Sequence, residues 1–239
     1  MLPIAILCGG LATRLGPITG RVPKSLLPIA GEPFLAHQLR LLERNGFSDV
    51  VLCVGHLGNL IRDFVADGSR FGVKVRYSFD GPTALGTAGA LRKAVSQLAP
   101  ATFVLYGDSY LTCDYCAVER AFLQSRKSGL MTVYRNDGLF DRSNVEFEAG
   151  RIVRYDKRKQ TPSMHHIDYG LGVFRTDVFA GADATETGDL ADTYSKLLAN
   201  DELAAYEVKD RFYEIGSVAG MRETDRFIQT QSSAQAGAL

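Results

Sequence analysis

Ile4-Ala5-Ile6-Leu7-Cys8-Gly9-Gly10-Leu11-Ala12-Thr13-Arg14-Leu15, followed after a loop by Pro23-Lys24-Ser25-Leu26, decides how this chain reads. A short, continuous apolar run is the pattern of a strand buried on both faces. It ends in two glycines, whose bare backbone amides can approach an anion with no Cβ in the way. Arg14 lies five residues past Gly9, and its planar fork suits two phosphate oxygens. Lys24 stands behind Pro23, which stiffens the backbone that aims the ammonium. Two cations around a glycine turn point to a large, highly charged anion, and a nucleoside triphosphate fits. A dinucleotide fold would need G-x-G-x-x-G, and a P-loop would need Gly-Lys-Ser/Thr at its end. Neither pattern is present, which disfavours hydride transfer and P-loop ATP hydrolysis.

Outward from this turn, the first half alternates buried strands with amphipathic helices. Apolar runs predict strands over residues 4–7, 50–54, 73–77 and 103–106. Pro33, a seam of Leu35, Leu39 and Leu42, and then Gly46 outline a helix from start to stop. A second helix carries Leu60, Ile61, Phe64 and Val65, and a third carries Leu91, Ala94, Val95 and Leu98. Repeated strand–helix–strand units with short connections predict an α/β fold with a doubly wound, mixed and mostly parallel sheet.

After Asp108 the pattern loosens. It predicts a helix over 118–125, a strand over 131–134 and a hairpin joining 145–147 to 152–155. A strand over 167–174, a helix over 190–198, a short strand over 212–215 and a last helix through Phe227 complete it. With no repeat or linker, residues 1–230 read as a single domain, 1–110 binding the nucleotide and 111–230 closing the pocket. The tail 231–239, rich in Ser, Ala, Gly and Gln, is expected to fray.

Among 239 residues, Lys plus Arg and Asp plus Glu number 27 each. No global field points to nucleic acid or an anionic membrane, so affinity for phosphate must come from locally placed cations. No run approaches the ~20 apolar residues that span a bilayer. The opening Met-Leu-Pro-Ile has no basic n-region and no cleavage site, which argues for a cytoplasmic protein. Four cysteines are too scattered for a disulfide framework. Cys8 and Cys53 read as small core residues. Cys113 and Cys116 have C-x-x-C spacing without a second pair, so a helix start with two cysteines outweighs a metal or redox site. His37 reads as helix packing, His56 follows a strand end near the site without partners, and His165-His166, ahead of the strand over 167–174, could contact a ligand hydroxyl but are not convincing catalysts.

Asp108 follows Gly107 at the carboxyl end of the strand over 103–106. Ligands of open α/β sheets bind outside such ends, and a carboxylate beside a triphosphate is a natural Mg²⁺ ligand. Asp114 is better placed to cap the following helix, which leaves Asp108 for metal. The segment Asp80-Gly81-Pro82-Thr83-Ala84-Leu85-Gly86-Thr87-Ala88-Gly89 precedes the third helix. Its small residues could let a flat base lie against backbone, or could be plain helix-entry residues.

These segments, in this order, resemble the sugar-1-phosphate nucleotidyltransferases, or nucleotide-sugar pyrophosphorylases, in the short form without a C-terminal β-helix. The family signature G-G-x-G-T-R-L, then Pro-Lys, is matched by Gly9 to Leu15 and Pro23-Lys24, with Ala12 in place of the third glycine. Leu85 to Gly89 resembles the base-recognition loop, and Gly107-Asp108 the metal-binding Gly-Asp. Tyr155-Asp156-Lys157 is similar to the Glu-Lys pair at the sugar phosphate. Asp168-Tyr169-Gly170 is similar to the stretch that lines the sugar pocket. Phe212 to Gly216 resembles the segment with the second metal carboxylate, with Glu214 where Asp is usual.

The resemblance implies a Rossmann-like nucleotidyltransferase fold and a nucleotide site of Leu7, Gly9, Gly10, Gly81, Gly86 and Thr87. It makes 111–230 the sugar-phosphate half, with Asp156, Lys157, Asp168, Tyr169 and Gly170. Arg14, Lys24 and Asp108 become the catalytic residues, and Asp108 with Glu214 the Mg²⁺ ligands. The implied reaction joins an NTP to a sugar 1-phosphate and releases pyrophosphate. A phosphomonoester with a second pKa of about 6 is already a nucleophile at neutral pH, so no catalytic triad is needed. The task is to gather two anions and align an in-line attack. The loop's likeness leans to GTP, with UTP as the alternative. The sugar is open among mannose, a heptose, glucose and an amino sugar, and a homodimer is one open assembly. A non-sugar phosphate acceptor, a silent nucleotide-sugar sensor and a regulatory subunit are the competing readings.

Overall fold

A computed structural model describes residues 1–10, 22–181 and 183–236 of the chain. Its first elements are β1 (Ile4–Leu7), β2 (Pro28–Ile29), β3 (Glu32–Pro33), α1 (Phe34–Arg44), β4 (Asp49–Val54) and α2 (Gly58–Val65). Then come β5 (Lys74–Phe79), α3 (Gly86–Ala94), β6 (Ala101–Tyr106), β7 (Ser109–Leu111), α4 (Tyr115–Ser125) and β8 (Gly129–Arg135). The chain continues through β9 (Val145–Glu148), β10 (Arg151–Tyr155), β11 (His166–Arg175) and α5 (Leu190–Ala199). It closes with β12 (Leu203–Val208), β13 (Phe212–Glu214) and α6 (Val218–Ala236).

The apolar run of β1 sits inside the sheet because both of its faces must be covered. Successive strand side chains point to opposite faces. Ile4 and Ile6 pack with Val50, Leu52, Phe103 and Leu105 against α1, α2 and α4. Ala5 and Leu7 pack with Val51, Cys53 and Val104 against α3 and α5. Two helical layers on one sheet give the doubly wound α/β architecture expected from the repeated units.

The main sheet runs β10-β9-β11-β6-β1-β4-β5, with β8 joining β11 to β12. β1 is parallel to β4 and β6, and β4 is parallel to β5. β11 returns antiparallel against β6, which carries the sheet from the first half of the chain into the second. The carboxyl ends of β1, β4, β5 and β6 therefore open on one edge, where Gly9, Gly55, Asp80 and Gly107-Asp108 follow them.

Some elements depart from the sequence reading. β12 was not foreseen: Leu-Ala-Ala-Tyr-Glu-Val has weak alternation, and it becomes a strand by pairing in parallel with β8. β7 is a short strand that pairs with β13 as a separate ribbon. The strand predicted to end at residue 77 continues to Phe79, which brings Asp80 to its end. α6 runs to Ala236, past Gln231 where fraying was expected. No Gly or Pro interrupts residues 221–236, and Ala, Gln and Arg are good helix formers. Asp114 does cap α4, accepting from Ala117 N at 2.9 Å.

All four cysteines are free thiols, with Cys8, Cys53 and Cys113 buried and Cys116 exposed. Among the described residues no group of three or more His, Cys, Asp or Glu is placed to hold a metal ion. Among them, too, no helix is long and apolar enough to cross a membrane.

Candidate active site

Two clefts meet on the carboxyl edge of the sheet. The first, of about 450 Å³, is lined by Leu7, Gly9 and Gly10 after β1, by Asp80 after β5, and by Gly86 and Thr87 at the start of α3. The second, of about 530 Å³, is lined by Asp168, Tyr169 and Gly170 of β11, by Asp141, and by Phe212 and Glu214 of β13. Lys24, Tyr106 and Asp108 line both and form the wall between them.

At that wall three charges converge. Lys24 sits at the head of a single 3-10 turn, Lys24–Leu26, which follows Pro23. Its Nζ donates to Asp108 Oδ2 at 2.6 Å. Glu214 reaches the same place because β13 pairs with β7, putting Glu214 opposite Ser109, the neighbour of Asp108. The position that a Cβ on Gly216 would take is 2.6 Å from Glu214 Oε2, 3.0 Å from Lys24 Nζ and 3.6 Å from Asp108 Oδ2. Two carboxylates and an ammonium thus surround one small volume. The Glu214 carboxylate bends back to accept from Gly216 N and, at 2.7 Å, from Ser217 Oγ.

The donor set suits a divalent ion of the hard kind. Mg²⁺ takes one or two carboxylates together with substrate phosphates, not an all-protein cage. The pair Asp108 and Glu214, with no third acidic or imidazole ligand in a metal-binding group among the described residues, matches that demand.

Asp168 is presented to the second cleft by a bulge. Between β11 and β8 the register shifts from Asp168↔Val133 to Gly172↔Met131, so extra residues of β11 are forced out of the ladder. Gly170 takes φ +95° there, and its N–H donates to Asp168 Oδ1 at 3.1 Å. Burial pushes the Asp168 carboxyl above the usual carboxylate range, opposed by Lys157, the Gly170 N–H and the hydroxyls of Tyr155 and Tyr106. Lys157, two residues past β10, is not itself among the lining residues of either cleft; its Nζ stands 3.3 Å from the hydroxyl of Tyr106, which lines both, and 3.9 Å from Asp189.

The helix-entry glycines line the first cleft at Gly86 and also make a backbone packing contact. Gly86 has φ +73°, and a Cβ there would stand 2.5 Å from Gly188 O. Ala88 N donates to that same carbonyl at 2.9 Å. A Cβ on Gly89 would meet Glu186 O at 2.7 Å. The segment before α5 thus packs directly onto the start of α3, and small residues are required because backbone lies against backbone. Thr87 extends the contact, donating to Asp189 Oδ1 at 3.2 Å and accepting from Leu190 N at 2.7 Å.

Of the remaining sequence-predicted residues, Arg14 lies outside the described residues, as do Leu11 to Arg21. Gly81 forms the turn beyond Asp80 and does not line the first cleft, whereas Asp80 does. Asp156 is turned onto its own loop, accepting from Arg158 N and Lys159 N at 2.8 and 2.9 Å. Those two N–H groups also hold its carboxyl below the usual range. Tyr169 lines the second cleft, with its ring largely buried against Tyr134 and Phe212. None of the four histidines lines either cleft. His37 bonds Ile29 O, His165 faces Asp137, and His166 pairs with Glu207.

Sequence reasoning missed Asp80 and Tyr106. Asp80 ends a parallel strand, the same signal that singled out Asp108, but β5 runs two residues further than its apolar pattern suggested. Tyr106 reads in sequence as the last residue of a strand, which it is, and only the adjoining Gly107-Asp108 hints that it lines the clefts.

The sequence model of the family described as Nucleotidyl transferase matches residues 4–231. The D-glycero-alpha-D-manno-heptose 1-phosphate guanylyltransferase of Campylobacter jejuni is 30% identical over 88% of this chain and 93% of its own length. The UTP–glucose-1-phosphate uridylyltransferase of Synechocystis is 29% identical over 89% of the chain, which spans 60% of that relative. In fold, the chain is similar to HddC from Yersinia pseudotuberculosis, solved with GMP-PN. That likeness has a TM-score of 0.80 at 22% identity and covers 95% of this chain and all of the other.

Proposed function

The chain belongs to the nucleotidyl transferase family, among its sugar-1-phosphate members, and from that premise we propose that it joins an NTP to a sugar 1-phosphate and releases pyrophosphate. The observation that carries this reading is the single point near Gly216 that Lys24, Asp108 and Glu214 surround, on the wall between two clefts. An NTP in the first cleft and a sugar phosphate in the second would meet there. Both are anions, so bringing them together in line is the main obstacle to reaction.

In this reading Leu7, Gly9, Gly10, Gly86 and Thr87 hold the nucleotide, and Arg14 steadies the departing pyrophosphate. Lys24 stands against the reacting phosphates, and Lys157 against the incoming sugar phosphate. Asp168 and Gly170 accept the sugar. Asp108 and Glu214 would hold Mg²⁺, which when bound supplies positive charge beside the α-phosphate. Lys24 pairs with Asp108 at that point, which offsets one of the two acids that face incoming phosphate.

The base is argued from Asp80. Its carboxylate lines the first cleft and is 8% exposed, with a 3.3 Å hydrogen bond from Leu85 N. Burial pushes the carboxyl up, so a base that donates to it would relieve the cost of its charge. An ionised carboxylate has only acceptors. Guanine offers the N1–H and N2–H donors side by side, whereas uracil places its one N–H between two acceptors. Asp80 therefore favours guanylyl transfer. The uridylyl alternative rests on the Synechocystis relative.

Pyrophosphate release measured for four NTPs against a panel of sugar 1-phosphates tests the reaction. GTP is expected to be preferred, and Asp80→Asn, whose amide adds a donor, to lower the GTP-over-UTP ratio at least about tenfold. Preference for UTP, unaltered by that substitution, favours the uridylyl reading. Absence of pyrophosphate release with every pair refutes the enzymatic one.

A further inference from the structure

Tyr106 is the last residue of β6, the one side chain between the strand and Gly107-Asp108, and it lines both clefts. Its hydroxyl accepts from Lys157 Nζ at 3.3 Å, and the ammonium also stands 5.3 Å from the centre of its ring. The same hydroxyl helps to support the charge of Asp168. On the other side, Lys157 faces Asp189 at 3.9 Å, the residue that caps α5 and holds Thr87. The order Asp189, Lys157, Tyr106, Asp168 alternates acid, base, hydroxyl and acid, and its last two members line the second cleft.

A lysine on a short surface loop has a flexible four-carbon stem and much rotamer freedom. Lys157 is about one-third exposed, so without tethers it would sample solvent. Its loop supplies no such tether: Asp156 is spent on Arg158 N and Lys159 N. A ring on a central strand can fix it, because the strand itself is pinned by β1 and β11.

We propose that Tyr106 is a positioning residue that seats the Lys157 ammonium at the junction of the two clefts, where the sugar phosphate enters. This rests on the reading of Lys157 as the sugar-phosphate cation. Tyr106 need not touch either substrate for this role.

The test is a cycle of Tyr106→Phe, Lys157→Ala and the double variant, with KM for sugar 1-phosphate, KM for NTP and kcat measured on each. Phe keeps the ring and the packing and removes only the hydroxyl. Tyr106→Phe is expected to raise KM for the sugar 1-phosphate about tenfold, the scale of one hydrogen bond to a charged group. KM for NTP should stay within about twofold, which also reports that the fold is intact. In the Lys157→Ala background the effect of removing the hydroxyl should be clearly smaller, leaving only the part exerted through Asp168. A Tyr106→Phe enzyme with unchanged sugar-phosphate KM, or one whose defect persists undiminished without Lys157, overturns the assignment while leaving the reaction in place. If Lys157→Ala alone leaves that KM unchanged, the reading of Lys157 falls, and this inference falls with it.

Discussion

Asp108 and Lys24 are held 2.6 Å apart, yet the Asp108 side chain is 38% exposed and Lys24 17%. A pair this open contributes only ~0–1 kcal/mol to stability, so its use is in the reaction. Asp108→Ala or Lys24→Ala should therefore lower turnover by roughly 10²–10³, the scale of losing one preorganised charge contact, with little change in melting temperature. Near-normal turnover in either variant would remove it from the catalytic group. Asp168 behaves in the opposite way. Burial raises its carboxyl pKa, so the native state keeps that proton at pH values where the unfolded chain has lost it. Stability from this group falls as pH rises through that window and is least once the buried carboxylate is ionised. Asp168→Asn should raise the melting temperature at about pH 8, with the gain shrinking toward about pH 4, the ordinary Asp range. A gain that grew on acidification would contradict the burial argument.

Among the elements, α3 depends most on a contact distant in sequence. Its start is packed under the backbone of Glu186 to Gly188, with Gly188 N donating to Leu85 O at 2.9 Å. Gly86→Ala would place a Cβ 2.5 Å from Gly188 O at a φ of +73°, a strain on the order of 1–3 kcal/mol. Denaturant unfolding should show that loss, and KM for NTP should rise as Thr87 shifts. An unchanged midpoint and KM would mean that the loop tolerates the side chain. β11 is the second such element. Its apolar run was legible as a strand, but the bulge that offers Asp168 to the cleft exists only because β8 pairs with the two ends of β11 in different registers. The parallel strands and their helices were legible because their periodicity is local. β12 and β7 were not, since each is short and becomes a strand only beside its partner.

Across the whole molecule, acidic and basic residues balance at 27 each, so affinity for two anionic substrates is a matter of placement. Substrate and ion should stabilise the protein together. Ligand at about 100 times its Kd adds about 2.7 kcal/mol, or a melting shift of about 5–10 °C for a domain of this size. The shift with NTP and Mg²⁺ is expected to exceed that with NTP and a chelator. Equal shifts would leave Asp108 and Glu214 without a metal to hold. Composition, apolar runs and the turns after them determined the sheet, its helical layers and the edge where ligands bind, because each of these is encoded within a few neighbouring residues. Only the folded chain decided that Glu214 meets Asp108 and Lys24, that Tyr106 meets Lys157, and that Asp80 joins the first cleft while Asp156 turns away. Those contacts join residues remote in sequence, through strand pairings and a bulge whose register no local pattern records.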